Sequence, residues 1–494
     1  MNKGGTKVFI TLGLLGFLLF RPFSGYGADL SIGNIITGNG NMTLNGAMTA
    51  TSFGGNGAGL TNLDPTKLSS GTANISISGN AATATTANSV AAGVVAAAGL
   101  APGAVTAAKI AFYDNVAVVA KSGGDYTLPT DAMNSLAGWC PSPSASNPCL
   151  LKIMPGVYNI GTNSVQMQPY VDIEGSGENT TIITGHVDGP NNGTINGASN
   201  AEIRFLTVQN TGGVTSAIAI ANINSNASPK ITNVTAIASG ATHNIGIAIY
   251  SASPILTNVT AKVEAPGGAY NHGVANNAVN NADSPSLMQN VTATASGGTY
   301  NNGVYNVNSS SVTMRNVDAK ASGGTISNGV FNDHSDVIME YVNASASDGV
   351  TNNGVMNLVS DTQMRHMRAT ASGGSTSNGV FNQDSAKPVL YYVRVAANDA
   401  TGFSTGIRNA NSSPDIRFGN SLGRGSIEAS VRTGIFNDGA SPYVYSPLIS
   451  GSPTQGACTG GCFGVYNTTS GTVRIDHSVV YANTNTIYNN NNVT

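Results

Sequence analysis

The stretch "NNGVYNVNSSSVTMRNVDAKASGGT", residues 301–325, is followed at once by "ISNGVFNDHSDVIMEYVNASASDGV", residues 326–350. The second stretch repeats the pattern of the first, with a Gly-Val pair near its start and a run of small residues near its end. The same pattern continues in both directions, and its glycines, spaced 25 to 30 residues apart, are Gly246, Gly273, Gly303, Gly329, Gly354, Gly379, Gly406, Gly434 and Gly464. A period of this length with short apolar segments indicates a solenoid.

The pattern inside one repeat predicts the kind of solenoid. In the repeat around Gly303, the segments "GVYNVN", "SVTMR" and "VDAKAS" each have the alternating apolar residues of a short strand. Asn316 inserts one residue between the second and third strands, and Asn tolerates the left-handed backbone that a sharp bend requires. Three strands per turn predict an all-β fold, a right-handed parallel β-helix of roughly 12–13 coils over residues 113–490.

Asparagine recurs three residues after each repeat glycine. These residues are Asn276, Asn306, Asn332, Asn357, Asn382, Asn409, Asn437 and Asn467. Amides stacked in register can hydrogen-bond from coil to coil. We interpret them as an internal ladder that stabilises the fold, rather than as a row of ligand-binding groups.

The first 112 residues differ in texture from the repeats. Residues 1–28 have two lysines, an apolar run and small residues in the order of a secretory signal peptide, so we expect an exported protein with no transmembrane segment after cleavage. Residues 29–112 are low in complexity and too poor in apolar residues for a core of their own. They resemble repeats of bacteriophage tail fibres and bacterial surface fibres, which implies a stem and a possible homotrimer; a flexible linker is the alternative.

The amino-acid composition limits which partners the protein can have and which redox compartment suits it. Charged residues make up 9% of the chain and the net charge is −3, which disfavours nucleic acid as a partner. In an exported chain we predict two local disulfides, Cys140–Cys149 and Cys458–Cys462. A zinc half-site at the second pair is the weaker alternative, because no neighbouring Cys or His pair completes it.

Four motifs between residues 115 and 220 resemble the amino-terminal part of pectin methylesterases. They are "VVAKSGGDYT" followed by "DAM", "IMPGVYN", "VDIEGSGENTTIITG" and "FLTVQNTGG". The resemblance implies membership of the pectin-lyase-like superfamily, with residues 113–220 as the start of the β-helix and residues 221–490 as its repeats. The family's catalytic Gln and Asp would fall at Ser216 and Ile245, and the sequence also lacks the family's later catalytic motifs. We therefore do not expect methylesterase activity.

A stripe of large side chains follows the repeat glycines at the second position. We call it the repeat stripe, and its members are Tyr305, Phe331, Met356, Phe381, Arg408, Phe436 and Tyr466. Alternation places Val304 and Asn306 inside and Tyr305 outside. An outward stripe of rings suits sugar binding or a subunit contact, and an inverted parity would make it a core stack.

Charged residues at equivalent repeat positions give weaker candidates. Arg368 and Arg394 are predicted to contact an acidic sugar, since a guanidinium pairs well with a carboxylate. Asp336 and Asp361 are a possible Ca²⁺ pair, with solvated turn residues as the alternative; we expect no other cofactor.

The sequence thus predicts an exported, non-catalytic β-helix that presents a long surface to a polysaccharide or cell-surface glycan. One alternative is a lyase or hydrolase that acts on an acidic polysaccharide such as pectin. A second alternative is a structural fibre or spike component, because one fold hosts all three roles.

Overall fold

The structure is a computed structural model, and it describes residues 113, 115–223, 227–278, 286–308, 311–417, 419–423, 431–445, 447–451, 461–468, 471–482 and 484–489. All of these belong to one compact unit, Ala92–Thr494. The predicted signal peptide and stem, with the predicted trimer, lie outside the described residues. Within the described part, none of the helices has the length and apolar character needed to cross a membrane.

Strands dominate the described residues. Two short helices, α1 (Pro129–Asn134) and α2 (Leu136–Trp139), lie near the start. The strands in chain order are β1 Asn115–Val119, β2 Cys149–Ile153, β3 Gly156–Asn159, β4 Val165–Gln166, β5 Val171–Glu174, β6 Thr181–Gly185, β7 Ile195–Asn196, β8 Glu202–Asn210, β9 Ser216–Ile223, β10 Lys230–Ala238, β11 His243–Tyr250, β12 Ile255–Glu264, β13 Tyr270–Asn277, β14 Ser286–Ser296, β15 Tyr300–Val307, β16 Val312–Ser322, β17 Ile326–Asp333, β18 Ile338–Glu340, β19 Asn343–Ser347, β20 Thr351–Leu358, β21 Gln363–Arg365, β22 Arg368–Ser372, β23 Thr376–Gln383, β24 Val389–Tyr391, β25 Arg394–Asn398, β26 Phe403–Ala410, β27 Asp415–Arg417, β28 Asn420–Gly423, β29 Val431–Asp438, β30 Tyr443–Tyr445, β31 Leu448–Ser450, β32 Cys462–Asn467, β33 Arg474–Asp476, β34 Val479–Tyr481 and β35 Asn485–Asn489.

These strands form two parallel sheets that wind together as a right-handed β-helix, which confirms the predicted fold class. The straight sheet has 13 strands within the described residues, in the order β35-β32-β29-β26-β23-β20-β17-β15-β13-β11-β9-β7-β4. The bent sheet takes the other 22 strands. Equivalent residues of neighbouring coils pair directly, for example Val304 with Val330 and Val330 with Val355.

A sharp corner divides the bent sheet into two limbs. Strands β10, β12, β14 and β16 run through this corner, whereas each later coil uses two separate strands. The corner residue has a left-handed backbone in successive coils, and we call the set the corner column: Phe205 (φ 57), Asn233 (φ 51), Asn258 (φ 55), Asn290 (φ 55), Asn316 (φ 54), Tyr341 (φ 56), His366 (φ 50) and Tyr392 (φ 54). The bend predicted at Asn316 is therefore confirmed.

The core fills the space between the two sheets with small and medium apolar side chains. Val304, Val330 and Val355 of the straight sheet are fully buried, and so are Met314 and Met339 of the bent sheet. Because every coil repeats the same inward positions, the core is one continuous column of side chains.

The predicted amide ladder lies inside the straight sheet. Each Asn side chain from Asn276 to Asn437 donates its Nδ2–H to the Oδ1 of the next one, over 2.7–2.9 Å. The members from Asn276 to Asn409 are no more than 1% exposed. These amides are buried and pair with each other from coil to coil, so they need no ligand, and the structural interpretation is confirmed.

The predicted disulfide Cys140–Cys149 is present and joins the residue after α2 to the start of β2. The second predicted bond includes Cys458, which lies outside the described residues. The first disulfide is compatible with an oxidising compartment outside the cytoplasm.

Candidate functional site

A long groove follows the corner of the bent sheet through the later coils. Its volume is about 1140 Å³. Three columns line it: the corner column, the small inward residues that follow it, and the outward residues one position further on, which include Asn343, Arg368 and Arg394. The same structural element that closes each coil therefore shapes the groove.

One wall of the groove is a ladder of rings formed by Tyr341, His366 and Tyr392, which we call the corner rings. The ring centroids of Tyr341 and His366 are 5.5 Å apart and those of His366 and Tyr392 are 5.3 Å apart, with near-parallel planes. Tyr341 is 63% exposed and Tyr392 is 48% exposed. Because the rings cover one another's faces, the ladder presents mainly ring edges and hydroxyl groups to the groove.

The corner rings occupy a backbone conformation that disfavours them. A side chain with a Cβ in the left-handed region costs roughly 1–2 kcal/mol, and Asn is the residue that lowers this cost. Four consecutive coils place Asn at this corner, the coil before them places Phe205 there, and the next three place Tyr, His and Tyr at nearly the same φ. Strain of this kind concentrates at functional sites.

The second wall carries two arginines in adjacent coils. Arg368 and Arg394 are direct register partners in β22 and β25, and both are exposed. Among the described residues, neither guanidinium has a hydrogen bond or an ion pair. Like charges placed opposite each other in a sheet destabilise it, so this arrangement works against the fold. An anionic ligand would remove that penalty.

The groove is electropositive. Among the residues that line it, the charged side chains are Arg368 and Arg394, and there is no carboxylate. His477 lies against Asp476, with 2.6 Å between Nδ1 and Oδ1. The field of the groove therefore favours an anion, although the whole chain carries a net charge of −3.

Comparisons with known proteins give matches only among solved structures. No family model and no curated protein matches the chain. The mannuronan C-5 epimerase AlgE4 A-module of Azotobacter vinelandii is 14% identical, with a TM-score of 0.41, covering 72% of this chain and 95% of that one. The catalytic unit of a GH87 α-1,3-glucanase from Streptomyces thermodiastaticus is 11% identical, with a TM-score of 0.37, covering 75% and 70%. Pectin methylesterase from carrot is 13% identical, with a TM-score of 0.24, covering 72% and 89%.

The paired parallel coils, with a left-handed bend in the eight successive turns from Phe205 to Tyr392, decide the fold without those scores. The chain has the fold of the pectin-lyase-like superfamily. The fold leaves the activity open, because in this superfamily architecture function lies in the side chains of particular coils.

The repeat stripe of this β-helix lies on the straight sheet, away from the core. All seven side chains are half-buried: they are more exposed than the fully buried Val304 and less exposed than a free surface residue. Several of their side chains contact a neighbour in the column. Tyr305 stacks on Phe331 at 5.4 Å, and the Arg408 guanidinium lies 4.7 Å from the Phe381 ring and 5.9 Å from the Phe436 ring. Burial lowers the pKa of Arg408, and the Asp438 carboxylate opposes this shift.

The two predicted calcium ligands bind backbone groups. Asp336 Oδ1 accepts the N–H of Asp361 at 3.0 Å, and Asp361 Oδ1 accepts the N–H of Lys387 at 2.8 Å. Each carboxylate thus links one coil to the next, and the described residues contain no cluster of three or more metal-ligating side chains. Calcium binding stays an untested prediction.

The sequence analysis identified Arg368 and Arg394 but missed the corner rings beside them. The intervals between the corner residues could have indicated the corner rings. Tyr341 and His366 follow the bend residue Asn316 at successive intervals of 25 residues, and Tyr392 follows after 26. Three consecutive rings after four consecutive asparagines mark a local departure from what the backbone prefers, and such departures are expected at functional sites.

Proposed function

We propose that the protein binds an acidic polysaccharide along the corner groove. The observation that carries the proposal is the pair of exposed, unpaired arginines in register, beside rings held in a strained backbone. A guanidinium recognises a carboxylate through two parallel hydrogen bonds, and successive carboxylates of a polyuronate would meet successive arginines. The ring edges and hydroxyl groups would contact the sugar rings.

The groove has the length for a polymer. Its lining runs from the coil of Tyr341 to the coil of Val479, which spans six coils and therefore roughly 24 Å at the usual strand spacing. An open groove of this length suits the middle of a chain better than its end. In agreement with an extracellular ligand, we infer that residues 1–28 direct export.

A second candidate function is an enzyme that acts on the same kind of polysaccharide. His366 lies between two tyrosines and lines the groove two residues before Arg368. Such a set supplies a base, hydroxyl donors and a group that binds a carboxylate, which are the requirements for proton transfer next to an acid group. The names of the fold relatives concern mannuronan and pectin, among other polymers, so these two polymers are the first to test.

The test measures retention and conversion separately. Full-length protein is passed over immobilised polymannuronate, polygalacturonate and neutral dextran, and the soluble polymers are examined for cleavage, ester loss and epimerisation. We expect retention on a polyuronate and not on dextran. The double variant Arg368→Gln/Arg394→Gln should lose at least about tenfold in affinity, which corresponds to about 1.4 kcal/mol.

Arg365→Gln is the matched control. Arg365 is exposed, lies in the neighbouring limb and donates to Gln363, but it does not line the groove. Its loss removes one positive charge, half the change made by the double variant, and should alter affinity by less than about threefold. Equal losses for both variants, or no retention of the unmodified protein on either polyuronate, would refute the proposal.

A further inference from the structure

A small internal cavity, which we call the floor cavity, adjoins the corner groove beside Arg394. Its volume is about 10 Å³, which is about the space that one water-sized group requires. Val393, Gly419, Asn420 and Pro447 line both the groove and the floor cavity. A substituent of a ligand in the groove could therefore enter the cavity at this coil.

The floor cavity lies where the floor of the groove loses its side chains. The inward residues that form this floor, which we call the floor column, are Val342, Met367, Val393, Gly419 and Pro447 in successive coils. At Gly419 no side chain continues the apolar floor. A Cβ at this position would lie 2.5 Å from the carbonyl oxygen of Val393, so the close approach of the two coils excludes a larger residue.

The walls of the floor cavity are apolar. They include four side chains that are no more than 3% exposed: Leu390, Val395, Ile407 and Ile416. Arg417 also lines the cavity, but its guanidinium is held by the Asp415 carboxylate through three contacts of 2.6–3.0 Å. A buried water needs about two to four polar partners, which such walls do not supply, whereas a methyl group needs none.

An amide lies at the mouth of the floor cavity. Asn420 is the direct register partner of Arg394, so the outward column of the groove runs from Arg368 through Arg394 to Asn420. Among the described residues, the Asn420 side chain has no hydrogen-bond partner, whereas Asn343 of the same column donates to Asp318 at 2.9 Å. The Asn420 amide can therefore donate to a carbonyl oxygen of a ligand.

The groove becomes apolar beyond this amide. Leu448 and Val479 follow Asn420 in register and are 37% and 50% exposed. The two cationic coils are thus followed by a coil with an amide and a methyl-sized cavity, and then by two apolar coils. A plain polyuronate has no group that suits the last three coils.

We infer that the corner groove selects an acidic polysaccharide that carries O-acetyl groups, an inference that rests on the proposed function. Arg368 and Arg394 bind the carboxylates, Asn420 donates to the acetyl carbonyl, and the acetyl methyl group enters the floor cavity beside Gly419. A methyl ester of the carboxyl group offers the same methyl group but removes the charge that the arginines require. A deoxy sugar offers a methyl group without the carbonyl.

The test compares substituents on one polymer. Polymannuronate and polygalacturonate are each prepared unsubstituted, partly O-acetylated and partly O-propionylated, together with methyl-esterified polygalacturonate, and their affinities for the full-length protein are measured by titration calorimetry. We expect O-acetylation of at least one polymer to raise affinity at least about tenfold. Propionylation should lose most of this gain, because the cavity has no space for a further methylene group. Methyl esterification should lower affinity.

Two variants locate the acetyl site. Asn420→Ala removes the donor, and Val393→Met copies Met367 of the preceding coil and extends into the floor cavity; each should reduce the preference for the acetylated polymer to less than about threefold. Asn343→Ala and Val342→Met are the matched controls. They make the same changes in the same two columns, at residues that line the groove but not the floor cavity, and should keep the preference. Thermal denaturation verifies that each variant is folded.

The outcomes distinguish this inference from the proposed function. Equal affinity for acetylated and unsubstituted polymers would overturn the inference, as would an unchanged preference in both Asn420→Ala and Val393→Met, or a propionylated polymer that binds as tightly as the acetylated one. Each of these results leaves retention on polyuronates, and with it the proposed function, intact. If no polyuronate is retained in any form, the proposed function fails and this inference fails with it.

Discussion

The corner of the bent sheet occurs in two chemical forms on one backbone. In the earlier coils Asn258, Asn290 and Asn316 each donate to the Asn of the preceding coil, over 2.7–3.1 Å, and form an exposed amide ladder. In the next three coils the corner rings stack instead, with φ values between 50° and 56°. The amide form satisfies the left-handed corner at low cost, because Asn adopts this conformation readily.

The comparison shows which residues the fold requires at the corner and which it does not. The corner bends equally well with Asn, so the rings are not required for the bend. They come with Arg368 and Arg394, which oppose each other in register and which sheet stability also disfavours. These two unfavourable choices coincide in the coils of His366 and Tyr392 and support the proposed binding function, and the variants below test this comparison of amide and ring ladders.

The largest effect is expected in the buried amide ladder. Asn357→Ala leaves Asn332 Nδ2 and Asn382 Oδ1 without partners, and we expect a loss of about 3–5 kcal/mol in the free energy of unfolding. At the exposed corner, Asn290→Ala leaves its neighbours in contact with water, and we expect about 1 kcal/mol, mainly from the left-handed backbone. Urea denaturation measures both. Equal losses would show that exposure does not separate the two ladders.

A histidine that continues an amide column should make stability depend on pH. The pKa of His272 is about 3 in the folded chain and about 6.5 in the unfolded chain, so between these values only the unfolded state binds the proton. Stability is full above pH 6.5 and falls as the pH is lowered towards 3. Between pH 6.5 and 4.5 the His272 contribution should fall by about 2–3 kcal/mol. Denaturation curves of His272→Asn should lack this component, and identical pH profiles would contradict the assignment.

The repeat stripe should show an intermediate effect. Phe331 is half-buried and stacks on Tyr305, so Phe331→Ser should cost about 1–2 kcal/mol. A freely exposed ring would cost under about 0.5 kcal/mol and a core ring about 3–5 kcal/mol. Chemical denaturation decides among the three. Ultracentrifugation of the same variant tests whether the stripe is a subunit contact.

The smallest effect on stability is expected at the corner rings themselves. In the double variant Tyr341→Asn/Tyr392→Asn, the relief of the left-handed strain and the loss of two stacking contacts nearly cancel, each being about 1 kcal/mol per site. The unfolding free energy should therefore stay within about 1 kcal/mol of the original value, while retention on a polyuronate falls. A large drop in Tm would mean that the rings hold the corner together, and unchanged retention would remove them from the site.

The fold could be predicted from the sequence because each coil of a solenoid repeats the same residue spacing. The glycine period, the alternation around Val304 and the extra residue at Asn316 each report a backbone requirement that recurs in every coil. The site was only partly predictable, since binding residues interrupt a repeat instead of obeying it. Arg368 and Arg394 could be identified from their charge. Tyr341 could not, because in the sequence it looks like an ordinary apolar residue of a strand. The half-burial of the repeat stripe depends on ring stacking between coils, which alternation alone does not report.

The spacing of the coils also makes this β-helix adjustable in length. Gly329, Gly354 and Gly379 follow one another at intervals of 25 residues, and their strands pair position for position. Removing residues 329–353 would join Asn328 to Gly354 and recreate the "NGV" motif, with every remaining register intact. Such a deletion shortens the corner groove by one rung of about 4.8 Å, and a duplication of the same segment lengthens it equally. Gain or loss of whole repeats can therefore change the length of the corner groove, the proposed polysaccharide site, without redesigning any contact.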